Sequence, residues 1–153
     1  MTKRMVIAVL ALGGVFVSVY LTLYKLGVIG QLSCSIGSCE TVQMSKWATF
    51  LGLPVAAWGC VYYLGVLVTA IVGTVPSFTE SRRLSLALLI EAAVGFAFTA
   101  YLTSLEAFVI HAYCIYCLSS AAIVTLILIA SVADYRELRP LDTTASLGRV
   151  VQQ

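Results

Sequence analysis

Residues 112–133 read AYCIYCLSSAAIVTLILIASVA. The stretch has no charged side chain, and at about 1.5 Å per residue it is long enough to cross about 30 Å of hydrocarbon. Its first turn carries two cysteines, Cys114 and Cys117, at CxxC spacing. A redox-type cysteine pair opening a lipid-length apolar run decides how the rest of the chain is read. Moving outward, three more runs of similar length appear, at about 84–110, 53–75 and 5–26. In lipid every backbone polar group must be satisfied within its own segment, so all four runs are expected to be helices. Composition agrees: 61% of the 153 residues are hydrophobic and 10% are charged. Soluble domains carry about 25% charged residues, so this surplus of apolar surface calls for lipid as solvent. The net charge of +2 and the lack of a basic patch exclude nucleic acid as a partner.

The expected fold class is an all-α membrane protein. It is a four-transmembrane-helix bundle in one domain over 1–153, with an outer loop at 27–52 and a cytoplasmic tail at 134–153. The first run follows Lys3 and Arg4 as a signal peptide would, but it is long for one and has no clear small-residue cleavage site before Lys25, so it reads as a retained anchor. Lys3, Arg4, Arg82, Arg83, Arg136, Arg139 and Arg149 fall on one side of the spans, against Lys25 and Lys46 on the other. By the positive-inside rule both termini are cytoplasmic. The loop 27–52 and the turn near 110–112 then face outward. Within that loop Met44, Trp47, Ala48 and Leu51 recur at helical spacing, which predicts a short amphipathic helix lying flat as a cap. Gly52 and Pro54 punctuate its end. The tail after Arg139 is polar and weakly patterned and reads as a loosely ordered end.

The five cysteines divide into two pairs and a single residue. Cys34 and Cys39 lie in the outer loop, and Cys114 and Cys117 lie at the outer end of the last span, all on the side where disulfides persist. Positions i and i+3 of a helix are about 5–6 Å apart at Cβ, so Cys114 and Cys117 can close a disulfide with little movement. A helix start also favours the thiolate, the reactive species in exchange. Gly37 and its serine neighbours leave the loop pair free to close and swing. Two facing pairs can pass electrons by successive thiol exchange. Competing readings are a static loop disulfide and a four-cysteine zinc site, which would make the chain a zinc-stabilised structural membrane protein. No metal is expected.

Other residues carry weaker signals. Cys60, inside the second span, reads as a packing residue. His111, three residues before Cys114, reads as a plain helix-end residue rather than as a cation beside the thiol. Glu91 and Glu106 are ionisable groups within a span, which raises a functional question by default, a transporter among the answers. No partner for either is evident in the sequence. Tyr62, Tyr63, Tyr101, Tyr113 and Tyr116 read as interfacial belt residues. Trp47 and Trp58 read either as anchors or as walls for a flat ring.

Several of these residues together resemble the vitamin K epoxide reductase family in its bacterial branch. The resemblance rests on Cys34 and Cys39 in the first outer loop, on Ser45-Lys46-Trp47-Ala48, Phe50-Leu51-Gly52 and Pro54, and on Cys114-Ile115-Tyr116-Cys117 opening the last span. It covers most of the chain. It implies a four-helix bundle around a quinone (menaquinone or ubiquinone) beneath the cap. The enzyme it implies is a quinone-dependent thiol oxidoreductase of the bacterial plasma membrane, supporting disulfide formation in exported proteins. Cys34 matches the cysteine that meets a thioredoxin-like partner, here a separate exported protein. Cys39 and Cys114 match the relay, and Cys117 matches the cysteine facing the quinone. Ser45 and Trp47 are the expected quinone-pocket residues. Vertebrate members place an asparagine and a tyrosine against the substrate ring, and the matching positions here are Val55 and Ala121. A simple quinone is therefore a better expected substrate than vitamin K epoxide.

Overall fold

A computed structural model describes residues 2–34, 38–78 and 81–151. Four long helices form the bundle: α1 (Thr2–Lys25), α3 (Val55–Val72), α4 (Arg82–Leu105) and α5 (Ile115–Val151). A six-residue helix, α2 (Cys39–Met44), lies between α1 and α3. All four long helices have stretches long and apolar enough to cross a membrane, and in each the share of that stretch buried within the protein is no more than 28%. Val9, Phe16, Ile90 and Val94 are exposed on this surface. Apolar helices that hide so little of themselves need lipid around them.

Packing between the helices relies on small residues, as expected where lipid competes for large apolar side chains. On α1 the buried positions Ile7, Ala11, Gly14, Ser18 and Leu21 form one stripe. The Tyr63 ring of α3 occupies the space where a Cβ on Gly14 would stand, and Gly59 lies against Ser18. Tyr63 Oη then reaches α5, hydrogen-bonding Ser120 Oγ at 2.6 Å. The central core is Ile7, Ala11, Tyr63, Val66, Leu88, Val124 and Ile127, with residues from all four long helices.

The end of the bundle near the start of α1 is tied by a buried cation. Arg4 is 1% exposed. Its Nε donates to Asp134 Oδ2 at 3.1 Å, Nη1 to the Gly73 carbonyl at 2.7 Å and Nη2 to Ser85 Oγ at 2.8 Å. Ser85 Oγ donates in turn to Asp134 at 2.5 Å. One guanidinium thus joins α1, the end of α3, α4 and α5. Its fixed fork of five donors suits such a convergence, which a lysine ammonium could not satisfy.

Three local expectations need correction. Met44, Trp47, Ala48 and Leu51 do not share one helix: Met44 ends α2, Lys46–Ala48 is a single 3₁₀ turn, and Thr49–Phe50 (β1) pairs antiparallel with Leu53–Pro54 (β2). Leu51 and Gly52, with φ of 53° and 80°, form the two-residue hairpin turn. Both central residues at positive φ match the right-handed twist of the flanking strands, so the hairpin displaces the helix. Trp58 Nε1 donates to the Phe50 carbonyl at 3.2 Å and fastens the ribbon to α3. Second, α4 does not run straight to residue 110: Glu106–Ile110 is a π-helical turn, closed by His111 at φ 55°. Third, α5 continues as helix to Val151 where a loose tail was expected. Once a helix is nucleated, each added residue contributes a backbone hydrogen bond, so extension past an anchored end is favourable.

Candidate functional site

Both cysteine pairs meet at the end of the bundle opposite Arg4. Cys39 and Cys114 belong to one buried cluster with Leu21, Leu32 and Val42, and Cys34 and Cys117 pack against it. Cys34 and Cys39 are joined as a disulfide with Cα atoms 6.2 Å apart. Cys114 and Cys117 are free thiols. Gly37, expected to give the loop its freedom, lies outside the described residues. Cys60 is also free, inside α3, with Thr22 Oγ1 at 3.8 Å from its sulfur.

Hydrogen bonds dock the loop pair on the helix pair from both sides. Tyr116, between the two CxxC cysteines, donates from its hydroxyl to the carbonyl of Ser33, the residue before Cys34, at 2.6 Å. The N–H of Ser38, the residue before Cys39, donates to the carbonyl of Tyr113, the residue before Cys114, at 3.0 Å. Tyr20 of α1 stacks at a tilt on Tyr116, with centroids 5.2 Å apart, and accepts from the Ser33 N–H at 3.3 Å. Tyr116 through its hydroxyl and Tyr113 through its carbonyl, both read as belt residues, therefore fix one cysteine pair against the other. Their positions beside Cys114 and Cys117 were the only signal in the sequence.

Cys114 precedes the first residue of α5, and its carbonyl accepts from the Leu118 N–H at 3.0 Å, the first bond of the helix. The Cys114 thiol is therefore held at a helix start. Hydrogen bonding from the Cys117 thiol, helped by the backbone N–H groups of Cys117 and Tyr116, brings its pKa down to about 7 against the opposing effect of burial. Donors aimed at a sulfur favour its thiolate.

The sequence shows no partner for Glu106, and the structure supplies one in the Cys114 N–H. Its carboxyl is buried, Oε2 accepts the Cys114 N–H at 3.2 Å, and the side chain shares a cavity wall with Cys117. The π turn makes this possible. The Ala112 N–H reaches back to the Glu106 carbonyl at 3.2 Å, bringing the chain after α4 around so that Cys114 sits over the Glu106 side chain. Such widened turns recur at functional sites. His111 is exposed and ends the turn in the left-handed conformation, so no helix carries it under Cys114.

Beside the cysteines lies a cavity of about 260 Å³. Ser45, Trp47, Val55 and Trp58 line it on the side of α2 and the hairpin, and Cys117 and Glu106 line it at the end of the relay. Cys114 does not line it. Phe98 and Leu102 of α4 and Tyr62 of α3 complete the wall. The Tyr62 hydroxyl is buried with no hydrogen-bond partner among the described residues, and it lies against Gly95, where any Cβ would collide with it. Glu91, the carboxyl within α4, does not line this cavity. Its Oε1 accepts from Thr69 Oγ1 at 3.1 Å. Among the described residues no group of three or more His, Cys, Asp or Glu is placed to hold a metal ion.

A closed disulfide packed on a free dithiol at the end of a bundle of lipid-length helices defines a class: a membrane-embedded thiol redox enzyme. A sequence model of the vitamin K epoxide reductase family matches residues 5–132, and the chain belongs to that family.

Proposed function

We propose that the protein passes electrons from an exported thioredoxin-like dithiol, through its two cysteine pairs, to a lipid quinone. The observation that carries this is the division of labour among the sulfurs. Cys34 and Cys39 are docked on the CxxC helix start, Cys114 is fully enclosed between the pairs, and Cys117 alone of the four lines the apolar cavity.

A partner thiolate attacks the Cys34–Cys39 disulfide at Cys34, and the partner leaves as a disulfide with Cys34 and Cys39 reduced. The Cys39 thiolate attacks Cys114 of a Cys114–Cys117 disulfide, and Cys117 leaves with the electron pair. Cys34 then attacks Cys39, the loop disulfide re-forms, and Cys114 leaves. A low thiol pKa makes a good leaving group, which suits Cys114 at this step. The arrangement described above, with the loop pair closed and the helix pair reduced, is the product of that step.

A bound quinone would supply a two-electron, two-proton acceptor for the Cys114–Cys117 dithiol. The cavity fits such a ring on three counts. Trp47, Trp58 and Phe98 offer flat apolar walls, Cys117 gives sulfur access, and the unpartnered Tyr62 hydroxyl matches a ring carbonyl as acceptor. Val55 puts no polar group on the ring, which favours a simple quinone over an epoxide. Ser45, whose Oγ is engaged with the Val42 carbonyl at 2.7 Å, shapes the side of the cavity nearest α2. The excess of Lys and Arg on one side of the spans supports cytoplasmic termini, with the cysteines at the outer face of the membrane.

The test is trapping. In a Cys39→Ser chain the partner should accumulate as a mixed disulfide on Cys34. Trapping that needs Cys39 and survives loss of Cys34 reverses the two roles.

A further inference from the structure

We propose that Glu106 is a catalytic proton carrier, taking the proton of the Cys117 thiol and delivering it into the cavity. This rests on the quinone reading above and extends it to a residue outside the cysteine relay. Three placements converge on the carboxyl. It is 3% exposed. One oxygen is fixed by the Cys114 N–H at 3.2 Å. The side chain lines the same cavity as Cys117. No cation compensates it: among the described residues the ion pairs are Lys3–Glu137 and Arg4–Asp134, both at the other end of the bundle. A carboxyl buried within a membrane span without a cation is an expensive way to cap one N–H, which Ser, Thr or Asn does without charge.

Proton balance supplies the reason for it. Oxidising the Cys114–Cys117 dithiol forms one S–S bond and releases two electrons and two protons. A quinone takes up both electrons and both protons at its oxygens. In an apolar cavity no bulk water collects the thiol protons, so a side chain must move them. Glu106 accepts the Cys117 Sγ proton, leaving that sulfur as the thiolate that gives up its electrons as the S–S bond closes. It then returns the proton to an oxygen of the reduced acceptor, and the second proton comes from Cys114. The carboxyl ends the cycle as it began.

The titratable groups around Glu106 are Cys114 and Cys117 at the start of α5, with Tyr62 and Tyr63 of α3 on the shared cavity wall. Lys25 of α1 is engaged by the Gln43 carbonyl. The other polar side chains of the wall, among them Ser18, Gln43, Ser45, Thr99, Thr103 and Ser120, are neutral.

The experiment compares the full-length wild type with Glu106→Gln and Glu106→Asp in lipid nanodiscs. Glutamine keeps an oxygen for the Cys114 N–H but cannot carry a proton. Two readouts are needed. The first is anaerobic single-turnover oxidation of the reduced dithiol by a short-chain quinone. Glu106→Gln should slow it by about 100-fold or more, the usual worth of a positioned acid–base group, and Glu106→Asp should recover part of the rate. The second needs no quinone: iodoacetamide labelling of Cys117 against pH, resolved by mass spectrometry. Wild type and Glu106→Asp should show two ionisations, and Glu106→Gln one. If Glu106→Gln does not fold, the Glu106→Asp chain carries the test, since shortening the carboxyl must shift its ionisation in the Cys117 profile. A Cys117 profile that is the same in wild type and variants overturns the proposal, as does a wild-type turnover rate in Glu106→Gln. If no quinone oxidises even the wild type, the quinone reading fails by itself, and the labelling profiles alone decide whether Glu106 takes the Cys117 proton.

Discussion

Removing the Cys117 thiol should disarm Cys114 as well as emptying its own position. Cys114 is lowered from a thiol's ordinary 9.0 to about 7, and the hydrogen bond from the Cys117 side chain is the largest cause. At pH 7 a thiol of pKa about 7 is about half thiolate, whereas one near 9 is about 1% thiolate. Cys117→Ala deletes the side-chain donor and keeps the backbone N–H groups, so the midpoint should rise to a value between those two. The thiolate fraction at neutral pH should then fall by up to about 50-fold. Intrinsic nucleophilicity rises with pKa with a coefficient of about 0.4–0.5, which returns about 8-fold and leaves attack by Cys114 about 6-fold slower. Departure of Cys114 from a mixed disulfide has no such offset, because a higher pKa makes a poorer leaving group. Because the shift is downward, thiolate is present above pH 7 and falls about tenfold per unit below it. The assay is ultraviolet thiolate absorbance against pH, as a difference from a Cys114→Ser chain, in wild type and in Cys117→Ala. An unmoved midpoint in Cys117→Ala would show that the Cys117 side chain does not set the Cys114 thiol.

Further predictions follow from other contacts. Arg4→Met leaves Asp134 buried without its cation and should lower stability by about 3–5 kcal/mol, read from thermal unfolding in detergent. Adding Asp134→Leu should restore much of that loss, and a double variant no better than the single one would refute the pairing. Tyr116→Phe removes the bond to Ser33, worth about 0.5–1.5 kcal/mol, and should slow transfer between the pairs several-fold while quinone oxidation of the reduced helix pair is unchanged. Gly95→Ala drives a methyl group into the Tyr62 hydroxyl and should raise the KM for quinone more than it lowers kcat. An unchanged KM would remove Tyr62 from the site.

The spans were legible because lipid imposes one strong pattern, long apolar runs with charges at their ends. The meeting of the cysteine pairs was legible for a related reason: the topology puts 34, 39, 114 and 117 at one face. Finer structure at that face was not. Met44, Trp47, Ala48 and Leu51 satisfy helical spacing, yet the backbone turns at Leu51-Gly52, and leucine at positive φ is uncommon enough that the pair gives no turn signal. Glu106 meets Cys114 through a π turn, an irregularity that no periodicity announces. Arg4 read only as a topological charge, because its partner Asp134 is 130 residues away and nothing local links them.

On the proposed route, electrons leave the helix pair through Cys117 to a quinone. That transfer is tested most directly by counting thiols on the purified, fully reduced protein before and after anaerobic addition of quinone. The chain has five cysteines. Thiols should disappear in pairs, one pair for each quinone reduced, until the Cys60 thiol remains. Cys117→Ala should lose none to quinone while a Cys39–Cys114 disulfide can still form under a chemical oxidant. Thiol counts that do not change on adding quinone to the wild type, or quinone reduction that persists in Cys117→Ala, would contradict it.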